Sequence, residues 1–414
     1  MTAMTSSTGA RPVTRTLWYL LLALLLGAGG YAIILRMIGG LSTTNLTSTM
    51  PWGAWVAFYI YFVGLSAGAF LLSSLIYVFG MTRFEKVGRM ALLAALVSMI
   101  VALAFIGLDL GRMDRALTPM IRFNWRSPLA WEVRFYLVYI ALLAVELWFA
   151  VRADLIRRSA TSKLAKFLAF GSKIADEAKD HHWLQILGTI GIPIAIFGVH
   201  GGTGTIFAVV KTRGLWSGPL APIVFIVSAL VSGTALLTLF YVIRQKARRM
   251  EVDGDMVSEL GKLLAGFLVV DLGLTFYEFL VPTLSLNPHE AEVIHIMTSG
   301  PYAWSFWFLQ LAIGMVAPAM ILLTRLRRSW VMTAIAAGMV VVGIVGVRFN
   351  IVVPPLIQPL LPGLPAGQYF PTWIEWLSSG GVIAMGLLLF SIAAEILPLD
   401  WLDQNGGTKH DHAA

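Results

Sequence analysis

Several ionisable residues of this 414-residue sequence lie inside or directly beside long apolar segments. An ionisable side chain within a membrane span is costly unless it is paired or hydrated, so such residues are candidates for function. Most of them fall in the halves of the segments that the charge pattern predicts to be the outer halves. They are Asp109, Glu132, Arg134, His200, Glu278 and Arg348, with Arg112 and Asp114 just beyond the third segment. This placement predicts that the functional site lies near one face of the membrane.

His200 lies in the sequence VHGGTG and is the only histidine within a predicted span. An imidazole can hydrogen-bond a carbonyl oxygen and can accept a proton near neutral pH, which is what chemistry on a quinol requires. The glycines after it would allow a flat ring to approach the backbone closely. A buried histidine that only satisfies a neighbouring carbonyl is the alternative interpretation.

Asp271 lies near the middle of the seventh apolar segment, and Glu278 follows seven residues later. This spacing places both carboxylates on one face of a helix, where they could form a proton path that reaches partway into the membrane. A buried hydrogen bond between helices is an equally good interpretation of Asp271.

The outer loop between the third and fourth spans is unusual because it carries four arginines on the side where basic residues are otherwise rare. We expect some of them to pair with nearby carboxylates, either within a functional site or as a structural network that ties the third and fourth spans together. The arginines are Arg112, Arg115, Arg122 and Arg126, and the carboxylates are Asp109, Asp114 and Glu132.

The composition identifies the environment of these residues as a membrane. The sequence is 58% hydrophobic and only 13% charged, far from the roughly 25% charged residues of soluble proteins. The formal charge of +8 comes from basic residues in short loops between apolar blocks, so nucleic acid is not an expected partner. Cysteine is absent and one intramembrane histidine cannot provide bis-histidine ligation, so we expect no iron–sulfur cluster, haem or other metal in this chain. Any electrons must then come from a partner.

Ten apolar segments are long enough to cross about 30 Å of hydrocarbon. The predicted fold is therefore a single all-α membrane domain over residues 1–414, with about ten transmembrane helices. The first segment is too long for the apolar region of a signal peptide and is expected to be retained. The predicted helices are 17–38, 54–79, 88–110, 128–152, 184–209, 219–243, 260–281, 300–323, 330–351 and 373–397.

The distribution of basic residues predicts the orientation of these helices. Of the 30 Lys and Arg residues, 21 fall on the N-terminal side of the membrane, including Arg11, Lys173 and Lys409. Because basic residues in short loops remain on the cytoplasmic side, both termini are predicted to be cytoplasmic.

Two pairs of similar segments suggest an internal repeat. The second span contains LSAGAFLL from Leu65 and the sixth contains LVSGTALL from Leu230, while the third and seventh each contain Asp-Leu-Gly. They predict a parallel four-helix repeat, with spans 2–5 matching spans 6–9. Chance similarity in a sequence rich in Ala, Leu and Gly is the alternative. Gly64 and Gly68, in GLSAG, are interpreted as sites of close helix packing.

Several short motifs together resemble one protein family. They are PWGAWVAF from Pro51, LDLGR from Leu108, the RFN segment from Arg122 that leads to Trp131 and Glu132, His200 with its small-residue run, VRFNIV from Val347 and YFPTWIEW from Tyr369. The sequence is similar to the NrfD/PsrC-like integral membrane subunits, and within them to the ten-span branch typified by HybB and DsrP. Most of the chain is covered by this resemblance.

The resemblance implies a quinone-reactive anchor of a respiratory complex in the bacterial inner membrane, including complexes of anaerobic respiration. Such an anchor exchanges electrons between menaquinone or ubiquinone and a periplasmic four-cluster iron–sulfur subunit. That subunit serves a catalytic partner, which is a molybdopterin enzyme, a hydrogenase or a multihaem cytochrome. The recurring polar positions of the family correspond here to Asp109, Arg112, Glu132, His200 and Arg348, which are therefore expected to bind the quinone and transfer its protons. His200 and Asp109 are expected to form the proton-accepting pair, with Arg112 or Arg348 setting the charge state of the carboxylate.

One departure from the family pattern concerns the partner enzyme. HybB-like and DsrP-like members tend to have a serine-rich run after the histidine, where this sequence has Gly-Gly-Thr-Gly. The departure favours a molybdopterin-type reductase over a hydrogenase as the catalytic subunit.

Two other functions fit parts of the sequence. Ten spans with a possible repeat and an aspartate near the membrane midplane also suit a secondary transporter. A purely structural anchor without a quinone site is the third interpretation, and it predicts no effect of His200 on quinone chemistry.

Overall fold

The computed structural model describes residues 12–172, 174–217, 220–285, 287–359, 363 and 366–399. These residues are predominantly helical and include no β-strand. Ten of the described helices are long and apolar enough to cross a membrane. The prediction of an all-α membrane fold with ten spans is therefore confirmed. Arg11, Lys173 and Lys409, which entered the charge count, lie outside the described residues.

The ten spans follow one another with short connections. The first four are single helices, and the fifth and eighth each combine a π-helix with α-helix. In chain order the spans are Pro12–Gly39, Ala54–Tyr77, Glu85–Asp109, Pro128–Arg158, Glu177–Pro193 with Ile194–His200 and Gly201–Ala208, Ala221–Ala247, Gly254–Leu284, Ser305–Val316 with Ala317–Leu323, Trp330–Val352 with Pro354–Ile357, and Trp373–Ile396.

Shorter helices lie between the spans at both ends of the bundle. We name the ends after the predicted orientation, so that the end with the third loop is the outer end. The short α-helices are Thr118–Ile121, Lys163–Leu168 and Pro288–Thr298, and the 3₁₀ helices are Gly40–Thr43, Thr82–Phe84, Met113–Arg115 and Arg325–Arg328. We call Pro288–Thr298 the outer helix.

Side-chain caps fix where several spans begin. Ser127 accepts a hydrogen bond from the backbone N–H of Ala130, directly before a proline that favours the first turn of a helix. Thr372 and Glu375 form a capping box at the start of the tenth span. These caps satisfy backbone donors that would otherwise be unpaired at the membrane boundary.

The second span lies at the centre of the bundle, with 89% of its most apolar stretch buried. It crosses the sixth span where two glycines meet. A Cβ atom on Gly68 would lie 1.9 Å from the carbonyl oxygen of Ala229, and one on Gly233 would lie 2.2 Å from the carbonyl carbon of Gly68. Gly68 therefore allows close helix packing, as interpreted from the sequence. The four-helix repeat to which these segments would belong remains a prediction.

Buried ion pairs tie the spans together at the inner end. Arg89 of the third span contacts Asp154 of the fourth at 2.5 Å, and both side chains are buried. Arg152 contacts Asp180 of the fifth span at 2.7 Å. Because an unpaired charge inside an apolar bundle is costly, these pairs stabilise the relative position of the third, fourth and fifth spans.

Candidate functional site

Five polar residues from four spans are linked to one another through Arg348. His200 comes from the fifth span, Ser228 from the sixth, Asp271 and Glu278 from the seventh, and Arg348 from the ninth. The side chains of His200 and Arg348 are 1% and 0% exposed. We call these five residues the central cluster.

His200 and Arg348 both lie against Gly64 of the second span. A Cβ atom on Gly64 would lie 3.3 Å from Cε1 of His200 and 3.2 Å from Nη2 of Arg348. The ring of Phe225 is 5.6 Å from the imidazole and 5.0 Å from the guanidinium carbon. Gly64 thus makes room for the cluster, whereas the sequence had suggested only helix packing for it.

The polar atoms of these two side chains are only partly satisfied. Nη2 of Arg348 donates a hydrogen bond to Ser228 at 3.1 Å. Among the described residues, neither ring nitrogen of His200 and neither Nε nor Nη1 of Arg348 has a partner in hydrogen-bonding geometry. The guanidinium of Arg348 lies beside the imidazole, and the backbone carbonyl of Phe225 is within its reach. Buried polar groups nearly always have partners, so this set has unused capacity to bind a ligand or water.

A change in helix type places His200. Pro193 has no backbone N–H to donate, and the chain continues from it as a π-helix over Ile194–His200 before it returns to α-helix. His200 is the last residue of this wider turn. π-helical turns in α-helices frequently occur at functional sites.

Asp271 and Glu278 balance the charge of Arg348. Both carboxylates interact electrostatically with its guanidinium, and Asp271 is 1% exposed with one oxygen, Oδ2, lacking a partner among the described residues. The seven-residue spacing predicted one helix face for the two carboxylates, and the structure places that face against the ninth span.

A small cavity adjoins Asp271 and Glu278, and we call it the polar cavity after the polar groups in its largely apolar wall. Its volume is about 50 Å³, and the polar groups belong to Ser228, Asp271, Thr275, Glu278, Gln310 and Asn350, whereas His200 and Arg348 do not line it. Asn350 donates to Gln310 at 2.8 Å. A cavity of this size and polarity can hold a few water molecules but not an aromatic ring.

Glu132 belongs to a second buried network, formed with hydroxyl groups. Tyr136 donates to Glu132 at 2.6 Å and contacts the hydroxyls of Tyr59 at 2.6 Å and Thr203 at 2.9 Å. Thr203 lies one turn after His200 on the same span. The fifth span therefore connects this tyrosine network to the central cluster.

Asp109 lies in a third group at the outer end. Arg36 of the first span donates to the carbonyls of Leu108 at 2.9 Å and Leu110 at 2.6 Å, which holds its charge beside Asp109. Glu375 of the tenth span is the other nearby charge. The structure thus groups Asp109 with Arg36 and Glu375, and groups His200 with Arg348.

Tyr369 also belongs to this outer group. Its hydroxyl donates to Glu375 and accepts from the backbone N–H of Ala54. Burial, together with the charge of Glu375, raises the pKa of the Tyr369 phenol. The motifs PWGAWVAF, LDLGR and YFPTWIEW, far apart in the sequence, therefore meet at one place.

Arg112 lies apart from all three groups. It pairs with Asp114 at 2.9 Å on the surface, where the two side chains are 65% and 61% exposed. The hydrogen bond from Arg112 lowers the pKa of the Asp114 carboxyl. The structure does not bring Arg112 to His200, and the role predicted for it in quinone binding has no support from its position.

Several residues of these groups were not singled out from the sequence. A hydroxyl inside an apolar span must find a partner, because the bilayer core offers no water. That rule could have identified the mid-span tyrosines and threonine. The residues that were missed are Tyr59, Tyr136, Thr203, Ser228, Gln310 and Asn350. Within the part of the chain that the structure describes, no three His, Asp or Glu side chains are arranged to hold a metal ion.

Comparison with known proteins gives matches over most of the chain. The model of a family described as polysulphide reductase, NrfD, matches residues 42–359. A selenate reductase subunit of Mesobacillus selenatarsenatis is 36% identical over 407 residues, which cover 93% of this chain and 94% of that protein. A putative dimethyl sulfoxide reductase membrane subunit of Halobacterium salinarum is 30% identical over 438 residues, covering 95% of each. The menaquinone reductase integral membrane subunit of Nitratidesulfovibrio vulgaris is 23% identical over 393 residues, covering 92% of this chain and 91% of that protein.

Proposed function

This chain belongs to the NrfD family of integral membrane subunits of oxidoreductase complexes, and we propose that it exchanges electrons and protons with a membrane quinone. The observation that carries the proposal is the unpaired imidazole of His200 beside Arg348 in the central cluster. The cluster lies within the spans, where a polyprenyl quinone resides. The relative named as a menaquinone reductase subunit supports the same chemistry.

The residues of the central cluster fit a quinone head group. The N–H of the His200 ring and the unpaired N–H groups of Arg348 can donate hydrogen bonds to a carbonyl oxygen. Phe225 offers a flat apolar face beside both side chains, and Gly64 makes room for both of them. A bound quinol supplies two electrons and two protons when it is oxidised.

The proton route follows from the order of the groups. His200 accepts the two quinol protons one after the other at a ring nitrogen, because an imidazole can take up and release a proton near neutral pH. From His200 each proton passes to Asp271, beside Arg348, and then along the polar cavity to Glu278, two turns nearer the outer end than Asp271. Arg348 compensates one negative charge of the two carboxylates. Protons released at the outer side need not cross the bilayer.

The electron partner is proposed to be a periplasmic iron–sulfur subunit seated on the outer loops. Three of the outer loop regions contain no Lys or Arg: 39–51, 282–300 and 352–372. Hydrogen bonds join the described parts of these regions. Asn45 donates to the carbonyl of Phe370 at 2.7 Å, and Gln358 donates to Glu292 at 2.8 Å. Together they form one continuous surface of mixed polarity, as a protein partner requires.

The catalytic partner is proposed to be a molybdopterin-type reductase that receives electrons through the iron–sulfur subunit. Two relatives that match nearly the whole chain are named as subunits of a selenate reductase and a dimethyl sulfoxide reductase. The family membership also argues against the secondary transporter considered from the sequence.

The docking surface can be tested by site-specific cross-linking. A photoreactive residue in place of Phe370, which is 62% exposed at the outer end, is expected to cross-link to an iron-containing subunit that copurifies with this chain. The same residue in place of Phe167, which is 71% exposed near the inner end, is the control and is expected to give no such product. Subunit and metal analysis of the purified complex identifies the product. Cross-links to that subunit only from position 167 would refute the proposed seat.

The proposed orientation places both termini in the cytoplasm of a bacterial cell with the spans in its inner membrane. The excess of basic residues, 21 of 30 on the terminal side, predicts that a reporter fused after Ala414 is active in the cytoplasm. Ala414 lies outside the described residues. A fusion of the same reporter into the 110–127 loop is the control and should be inactive, because that loop is predicted to lie on the outer side. The opposite pattern of activities would reverse the assignment of the two faces.

A further inference from the structure

An apolar groove opens on the side of the bundle between the seventh and eighth spans. It has a volume of about 460 Å³, and the outer helix closes its outer end. Phe276 and Trp307 line it and are 59% and 48% exposed. The groove therefore faces the surroundings of the spans, which in a membrane are lipid.

The groove and the polar cavity of the central cluster share part of their walls. Thr275 and Phe279 line both. The ring centroids of Phe279 and Phe306 are 4.6 Å apart, with the ring planes tilted by 32°. A single layer of side chains thus separates the lipid-facing groove from the polar cavity beside Asp271 and Glu278.

This separating layer belongs to a small hydrophobic cluster of its own. Val293, Met297 and Phe306 form its centre, and Phe279 packs against it, whereas the rest of the bundle shares one large core. Phe306 lies on the π-helical part of the eighth span. A side chain held by a small satellite cluster can move at lower cost than one in the main core.

We propose that the groove binds the isoprenoid tail of a polyprenyl quinone and is the lateral route by which its head group reaches the central cluster. This inference rests on the proposed function. The polar cavity, about 50 Å³, is too small for the ring, so the head group needs the space that Phe279 vacates when it turns toward the groove. A phospholipid chain would account for an apolar groove, but not for walls shared with a cavity that the carboxylates of Asp271 and Glu278 line.

The groove can be filled without touching the central cluster. Leu311 lies on its wall, and Leu311→Trp should occupy the space of the tail. Phe308→Trp is the matched control, because Phe308 is on the same helix, is 67% exposed and does not line the groove. Both variants are assayed in the purified complex with a long-tailed quinol, with a tail-less quinol and with an artificial dye.

Leu311→Trp is expected to raise the KM for the long-tailed quinol at least tenfold, to change the KM for the tail-less quinol much less, and to leave dye activity unchanged. Phe308→Trp should behave as wild type. A photoreactive group on the quinol tail should label peptides of the seventh or eighth span, and the labelling should be lost in Leu311→Trp.

Two outcomes would overturn the inference. One is an unchanged KM for the long-tailed quinol in Leu311→Trp. The other is labelling by a photoreactive phospholipid that excess quinol does not displace. His200→Gln, measured alongside, separates a failure of the proposed route from a failure of the proposed function. If His200→Gln impairs quinol oxidation while Leu311→Trp does not, only the route is wrong. If His200→Gln also has no effect, the proposed function fails with it.

Discussion

Replacing His200 by glutamine is expected to lower quinone-linked electron transfer by about 10² to 10⁴-fold, the usual scale for loss of a positioned general base. Glutamine has a similar volume and can still donate a hydrogen bond, but it cannot accept a proton from a quinol. The loss therefore reports proton transfer, and it should appear mainly in kcat. His200→Ala removes the hydrogen bond as well and should also raise the KM for the quinol.

The dye assay separates this effect from a failure of assembly. Because the dye exchanges electrons with the partner subunits directly, dye activity of the purified complex should be unchanged in both His200 variants. Phe197→Ala is the matched control, since Phe197 lies one turn earlier on the same π-helix and is 74% exposed. Equal loss with quinol and dye, or no loss with either, would remove His200 from the mechanism and favour a purely structural anchor.

The fold was predictable from the sequence because hydropathy and length alone identify membrane spans. Hydropathy does not report the pitch of a helix, so the π-helical parts of the fifth and eighth spans were not predicted. Pro193 was the available signal for the first of them. That change of pitch matters for the site, since it determines the direction in which the His200 side chain leaves the helix.

The chemistry of the site was easier to predict than its pairings. His200, Asp271 and Arg348 were found because each is a charged or titratable residue within a span, and the structure brings all three together. Asp109 was expected to pair with His200 and with arginines near it in sequence. The structure instead places Arg36 beside it, because the first span packs on the tenth and brings its outer end to the third span. Such contacts depend on the arrangement of spans, which a single sequence does not contain.

Gly64 and Gly68 illustrate the same limit at one helix face. They are four residues apart and were given the same interpretation, close helix packing. Gly68 meets the backbone of the sixth span, whereas Gly64 meets His200 and Arg348. Only the neighbours decide which glycine packs a helix and which makes room for a site.

Replacing Arg348 by methionine is expected to have the largest effect on stability. The side chain is fully buried and its positive charge interacts with both Asp271 and Glu278. Removing one partner of a buried charged group costs roughly 3–5 kcal/mol, because the remaining charges stay in an apolar environment. The thermal midpoint of the purified protein in detergent should fall clearly, and the yield of assembled complex should fall with it. Arg112→Met is the control, and the solvent-exposed position of Arg112 predicts no measurable change.

A second substitution distinguishes lost charge balance from lost packing. Asp271→Asn removes one of the stranded charges, so the double variant Arg348→Met with Asp271→Asn should recover a large part of the lost stability. It should not recover quinone-linked activity, because the donors that hold the head group and the carboxylate of the proton route are both gone. Arg348→Lys keeps the charge and should fold well, but an ammonium cannot reproduce the planar donors that face Ser228 and the ligand, so its KM for the quinol should rise. Normal stability of Arg348→Met, or a double variant no more stable than Arg348→Met alone, would show that Arg348 does not hold these carboxylates in place.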